Sequence, residues 1–423
     1  MNAVTSRPEE NITPTKTDTD DSAGAPGPVP PSRRTHLAWR NLADTPIRTI
    51  VSLGGIGFAI LLMFMQLGFL GSVGDTATVV YDRLRCDVIV RSPDYLSIYD
   101  PASLRGELPK WLAGLPEVRR VIPLDIGVTQ WQNPQDHSFR AIALMGIDLD
   151  EPAFVLPELS AGTRASLRPV GAVLIDDASG ADFGPQQGGR FGRDDIGVTT
   201  DVAGSEATIQ GTFAMGTGLA ANGALLSSRD TFQKLTPGGH KNRVSLVLIQ
   251  LADSERIDAG LQAINRRLQS LGGTSAYAVA ITLDQAKSSE QQMWYTQTPI
   301  GMIFAIGVAL AVLVGGVISY MILAADVTAH LSEYATLKAI GYSNRFLIKT
   351  LLTQSSLLAV LAFPPALILS LVLYYVTSIA SGIAIDMTWL RVALVLTLSL
   401  LMCNAAGVFA LRKLLKAEPA SLF

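Results

Sequence analysis

The sequence predicts an α-helical membrane protein with four transmembrane helices and a large α/β extracytoplasmic domain inserted between helices 1 and 2. Three observations carry this. Of 423 residues, 48% are hydrophobic and only 16% charged, with a mean hydropathy of +0.33. That is too apolar for a purely soluble chain and too polar for one buried wholly in lipid. Four stretches, 49–74, 291–325, 350–385 and 392–411, carry no charge, and each reaches the roughly 20 residues needed to cross a bilayer. Between the first two, the apolar period switches between two and 3.6, the mark of mixed strands and helices.

Composition also excludes. The net charge is −3, and Lys and Arg do not gather into a basic stripe with interleaved aromatics, so nucleic acid is not a partner. The two cysteines are Cys86, beyond the first span, and Cys403, deep inside the last. They lie too far apart to pair, and neither a disulfide framework nor a zinc site is expected.

Residues 1–35 are rich in Pro, Thr, Ser, Asp and Gly; they bury too little apolar surface to offset ordering entropy and are expected to be a disordered cytoplasmic extension. Residues 36–48 place Leu37, Trp39, Leu42 and Ile47 among arginines. That pattern reads as an amphipathic juxtamembrane helix or as a basic flank that sets topology. The first span is 49–74. The extracytoplasmic domain is 75–290, with strands over 86–91, 118–130, 139–146, 172–175, 208–213, 244–251 and 277–281, and a helix over 103–115. Its clearest helix is 253–271: Asp253 can cap it, Ile257, Leu261, Ile264, Leu268 and Leu271 form one stripe, and Gly272 and Gly273 end it. Residues 180–204, dense in Gly and Asp, read as an irregular insertion.

The remaining spans are 298–325, 350–376 and 391–411, with a cytoplasmic segment at 326–349, a short external loop at 377–390 and a C-terminus at 412–423. Arginines precede span 1. Lys338, Arg345 and Lys349 lie between spans 2 and 3, and Arg412, Lys413 and Lys416 follow span 4. Positive charge marks the cytoplasmic side, so both termini are expected to be cytoplasmic in a multi-pass membrane protein. On span 2, Gly307, Ala311, Gly315 and Ser319 recur every fourth residue. This small-residue stripe lets a helix approach, from the same chain or from a second copy. Pro364 and Pro365 in mid-span 3 remove backbone donors and are expected to kink or break that helix. No ionisable residue lies at mid-membrane, which leaves a proton or ion relay without carriers.

Chemistry is largely missing. There is no Gly-x-x-x-x-Gly-Lys-Ser/Thr loop, no His-Glu-x-x-His and no Gly-x-Ser-x-Gly. The chain is therefore not itself an ATPase, and no cofactor or catalytic residue is expected. His137 and His240, the external imidazoles, sit in polar turn-like sequence as solvated loop residues. An external enzyme on a membrane anchor is disfavoured for the same reason.

What stands out is the charged island between spans 2 and 3. Glu333, Ala335, Leu337, Lys338 and Ala339 favour helix, Gly341 can take the left-handed conformation that stops one, and Ser343 or Asn344 can cap the next. Lys338 suits the helix C-terminus, and Tyr334 falls one turn before it. Charge pattern alone favours a solvated loop; a mixed aromatic and cationic face also suits docking to a protein.

The string from Glu333 through Tyr334, Ala335, Thr336, Leu337, Lys338, Ala339, Ile340 and Gly341 to Tyr342 resembles the cytoplasmic segment of FtsX-like and MacB-like ABC transporter permeases, most closely the DevC type. Leu37-Ala38-Trp39-Arg40-Asn41-Leu42, Phe64-Met65-Gln66-Leu67-Gly68-Phe69 and the ending from Leu411 to Phe423 are similar to that family too. The resemblance covers residues 36–423 and implies a place in a bacterial inner membrane. It implies a homodimeric, non-catalytic permease subunit joined to cytoplasmic ABC ATPase subunits that bind the ATP, a periplasmic membrane-fusion adaptor and a TolC-like outer-membrane duct, with glycolipid as the cargo. It assigns coupling to the ATPase to Glu333, Tyr334, Ala335, Leu337, Lys338, Gly341 and Tyr342. The rival reading is an FtsX-like membrane regulator of a cell-wall hydrolase, with no exported substrate.

Overall fold

A computed structural model describes residues 46–216, 222–237, 242–272, 278–330, 332–333, 336, 340–381 and 385–416. The expected disordered extension 1–35, nearly all of 36–48, His240 and the end of the chain after 416 lie outside the described residues.

Among the described residues, four helices are long and apolar enough to cross a membrane: α1 (Pro46–Asp82), α7 (Pro299–Ala329), α8 (Asn344–Ser381) and α9 (Trp389–Lys416). They pack as one bundle around Ile56, Ile60, Met63 and Phe64 of α1, Leu323 of α7, Ala359 and Ala362 of α8, and Val395 and Cys403 of α9. α1 is 37 residues long. It continues eight residues past the expected end of the span, so that at about 1.5 Å per residue its last turns stand clear of a bilayer.

The α/β domain lies between α1 and α7. Among the described residues its sheet has strand order β11-β1-β10-β3-β4-β8-β5-β7-β6. The strands are β1 (Val88–Arg91), β3 (Val118–Gln132), β4 (Phe139–Ile147), β5 (Ala172–Asp176), β6 (Thr199–Val202), β7 (Ser205–Phe213), β8 (Ala224–Ser228), β10 (Leu246–Leu251) and β11 (Val279–Thr282); β2 (Leu104–Arg105) pairs separately with β9 (Arg243–Val244). β6 also meets β3, through Trp131 opposite Val202, so six strands close into a ring. Trp131, Ile142, Val173, Phe183, Ile209 and Phe232 fill it, and the Trp131 indole donates to the Phe183 carbonyl at 3.0 Å. The open end of the sheet is covered on both faces, and its strands sort by period two. Val88, Val90, Val247 and Ile249 point to a core shared with α5 (Ile257–Gly272), whereas Ile89, Leu246 and Leu248 point to one that holds Tyr81 and Leu84 at the end of α1.

The stripe expected over 253–271 folds as read. The Asp253 side chain caps a short 3₁₀ turn by accepting from the Glu255 N–H at 3.0 Å, α5 follows, and Ile264 and Leu268 are buried. Two expectations need correcting. Residues 103–115 are not one helix but β2 followed by the short α2 (Leu108–Leu112), because Pro109 fits only a first helical turn. Residues 180–204 are irregular only in part, since β6 lies within them and pairs with the β7 that follows. A helix that sequence reading did not separate, α6 (Leu283–Thr296), starts inside the expected domain and runs beyond its expected end at 290.

Candidate functional site

The charged island forms a short helix, a break and a helix, as far as it is described. Ser332, Glu333 and Thr336 are helical, and the Ile340 N–H donates to the Thr336 carbonyl at 3.0 Å. Gly341 has φ +100°, which ends the turn, and α8 starts at Asn344. Tyr342 packs on Phe346 with ring centroids 4.8 Å apart, and Ile340 is exposed. Tyr334, Ala335, Leu337 and Lys338 lie outside the described residues. Where α7 meets this segment, His330 Nδ1 lies 3.3 Å from Glu333 Oε1, and Gln354 of α8 donates to Asp326 at 2.6 Å. The segment is thus tied to two spans.

From there, α7 and α6 run antiparallel to α1 in one register. A Cβ on Gly55 would meet Ile318 and Ile322, Ala59 faces Gly315, and Gln66 faces Gly307. Phe69 stacks on Phe304 at 5.3 Å, Gln291 donates to the Gly74 carbonyl at 3.3 Å, and Asp82 pairs with Lys287 at 2.7 Å. The pairing crosses the joint between α6 and α7, where Thr298 caps α7 and Pro299 opens it. α1 on one side and α6 with α7 on the other therefore form one shaft that begins beside the charged island and ends in the core of the external domain.

At the top of the shaft Glu290 is 1% exposed and lies within hydrogen-bond distance of four groups: Tyr95 Oη at 2.6 Å, Tyr81 Oη at 3.2 Å, the Ile98 N–H at 3.1 Å and Trp294 Nε1 at 3.2 Å. Tyr81 belongs to α1, Glu290 and Trp294 to α6, and Tyr95 and Ile98 to a loop of the external domain. A second joint lies beside it. Asp176 of β5 accepts the Gly216 N–H at 2.9 Å, holding that backbone at φ +98° against Val79 of α1, and burial pushes the Asp176 carboxyl up to about 6.

Gly307, Ala311, Gly315 and Ser319 turn inward. Ala311, Gly315 and Ser319 are buried, and a Cβ on Gly315 would meet Met402 of α9 and Ala59 of α1. In this chain the stripe thus serves packing within the bundle. Gly315→Leu is expected to overpack that contact and to cost about 1–3 kcal/mol, read as a lower unfolding midpoint in detergent; an unchanged midpoint would show that the site tolerates bulk. Sequence reading missed a second set on α1. Gly68, Gly71 and Gly74 leave space that Tyr374 of α8, Arg391 of α9 and Tyr295 of α6 occupy, and Arg391 also pairs with Asp75 at 3.5 Å. The three-residue spacing of these glycines was the available signal.

Of the kink or break expected at Pro364 and Pro365, the break does not occur, since α8 passes through both without interruption. Both prolines face outward, while Ala362, Phe363 and Ala366 beside them are buried against the bundle core. Packing of those neighbours keeps the helix whole where the backbone loses donors. His137 sits at φ +59° in the turn between β3 and β4, and among the described residues no cluster of His, Cys, Asp and Glu could hold a metal ion.

Residues 300–419 match the family model described as FtsX-like permease C-terminal. Among solved structures, the extracellular domain of the noncanonic ABC-type transporter YknZ from Gram-positive bacteria aligns at 16% identity and a TM-score of 0.33, covering 46% of this chain and 98% of that one. The periplasmic region of MacB from Actinobacillus actinomycetemcomitans aligns at 12% identity and a TM-score of 0.34, covering 49% and 93%. These likenesses are distant and carry no functional inference. No curated protein matches the chain.

Proposed function

We propose, from the FtsX-like permease C-terminal domain at residues 300–419, that this chain is the membrane permease subunit of an ABC exporter working by mechanotransmission. ATP binding and hydrolysis take place on a separate cytoplasmic ATPase. Its motion moves the segment 326–349, and the shaft of α1 with α6 and α7 carries that motion to the external domain. The single observation behind this is the unbroken antiparallel register from Gly55 beside Ile318 to Asp82 beside Lys287. Helices packed in register pass a displacement at one end on to the other, because interdigitated packing deforms little, and the stroke ends where α1 moves against α6 beside Asp82 and Lys287.

Around this core we propose the assembly that the DevC resemblance implies: two copies of the chain, a periplasmic adaptor, a TolC-like outer-membrane duct and a lipid or glycolipid cargo. The docking surface for the ATPase consists of Glu333, Tyr334, Ala335, Leu337, Lys338, Gly341 and Tyr342. A helix of about ten residues is roughly 15 Å long, a size that seats in a groove on a partner domain.

The test is topology with co-purification. A tag inserted at Gly188, where a side chain meets open space, is expected to be reachable only from the external side, with tags at residues 20 and 423 reachable only from the cytoplasm. An ATPase subunit is expected to co-purify in mild detergent. Cytoplasmic access to the Gly188 tag would overturn the architecture, and co-purification of a cell-wall hydrolase without an ATPase would favour the regulatory reading.

A further inference from the structure

The joint at the top of the shaft holds a triangle of oxygens. Tyr81 Oη and Tyr95 Oη are hydrogen-bonded to each other, and both lie within hydrogen-bond distance of the same carboxylate oxygen, Glu290 Oε2, at 3.2 and 2.6 Å. The triangle has three edges, and the two phenols bring two hydrogens. With Glu290 ionised, one edge has two oxygens in contact and no hydrogen between them. One more proton, on Glu290 Oε2, fills all three edges in a ring: glutamic acid to Tyr81, Tyr81 to Tyr95, Tyr95 to glutamic acid. The other oxygen, Oε1, keeps its two donors, the Ile98 N–H and Trp294 Nε1, in either state.

The charges around the group fit this count. Tyr81 faces it from α1 and Tyr95 from the loop, with Tyr99 nearby, and Asp176 of β5 lies near Tyr99. The cation on this side is Arg91 of β1, whose guanidinium lies 4.4 Å from the Tyr95 ring centre and donates to Ser289 Oγ at 3.2 Å. Lys287, one turn away on α6, is paired with Asp82. Burial holds the Glu290 carboxyl above the usual glutamate range, against the donors that pull it down.

We propose that Glu290 is a protonated acid at neutral pH, its O–H donating to Tyr81, and that this makes the joint of the shaft a proton-linked latch. Separation of α6 from α1 would take Tyr81 away and admit water, and the hydrated carboxyl would give its proton to solvent. The closed joint binds the proton more tightly, so it is favoured as pH falls and weakened as pH rises through the raised value. The protonation stands on the oxygen triangle alone; its use in transport rests on the mechanotransmission reading.

The test is infrared difference spectroscopy on the full chain in lipid nanodiscs at pH 7.5, comparing wild type with Glu290→Gln. A protonated-carboxyl C=O band is expected in the wild type and absent from the variant, and it should disappear on alkaline titration. Asp176 is present in both samples and cancels. Glu290→Gln is expected to fold, because its amide can donate to Tyr81 as the acid does. Tyr81→Phe provides a second variant, in which the band shifts and is lost at lower pH because the acceptor is gone. A spectrum with carboxylate bands only at Glu290 in wild type, or a C=O band unmoved by Tyr81→Phe, would overturn the proposal.

Discussion

Gly341→Val is expected to abolish ATP-driven transport, by tenfold or more, while leaving membrane insertion and the external domain unchanged. The position has open space around it, so no clash arises. The penalty is purely conformational: at φ +100° a β-branched residue is strained by about 1–2 kcal/mol. Relief comes from rotating the backbone, which re-aims the turn that precedes α8. A companion change, Glu333→Lys, removes the oxygen 3.3 Å from His330 Nδ1 and reverses a charge on a largely exposed side chain. It is expected to weaken ATPase binding as well as coupling. Steady-state ATPase stimulation and co-purification check both. Wild-type behaviour of the two variants would reduce the segment to an ordinary loop.

Gly71→Leu is expected to lower the stability of the membrane region. Its side chain would enter the place of the Arg391 guanidinium, which is mostly buried and paired with Asp75. Overpacking alone costs about 1–3 kcal/mol, and displacing a mostly buried cation from its partner adds to that. Gly54→Leu on the same helix is the control, since a Cβ there has nothing within 4 Å; it should stay within about 0.5 kcal/mol. Thermal unfolding of the two variants in the same detergent decides, and equal midpoints would contradict the packing described for α1.

The spans were legible because lipid imposes a length and forbids charge, and both conditions are visible residue by residue. The stripe of α5 was legible because one face is buried and the other wet. Strand β8 was not, since Ala224 to Ser228 are all buried and a run without alternation carries no period. α6 was hidden for a different reason: its uncharged C-terminal turns merge with the apolar stretch that opens α7. The capping box of Thr282 with Gln285 was its available signal. Of the site, the break at Gly341 was readable from residue type. The shaft was not, because antiparallel register between helices far apart in sequence leaves no local mark. Nothing in the sequence marks Glu290, and only the fold brings Tyr81 and Tyr95 to it.

The central claim is that α1 and α6 must move against each other at the top of the shaft for transport to occur. The direct measurement is to join these two helices with a short thiol cross-linker between Asp82→Cys and Lys287→Cys, positions that form an ion pair at 2.7 Å in the native chain. The native Cys86 thiol is pushed up to about 12 by burial, so it stays protonated and unreactive at working pH. With a cleavable cross-linker in the assembled transporter, export should stop when the pair is joined and return when the linker is cut, while ATPase binding persists throughout. Undiminished export from a fully cross-linked population would contradict mechanotransmission through this shaft.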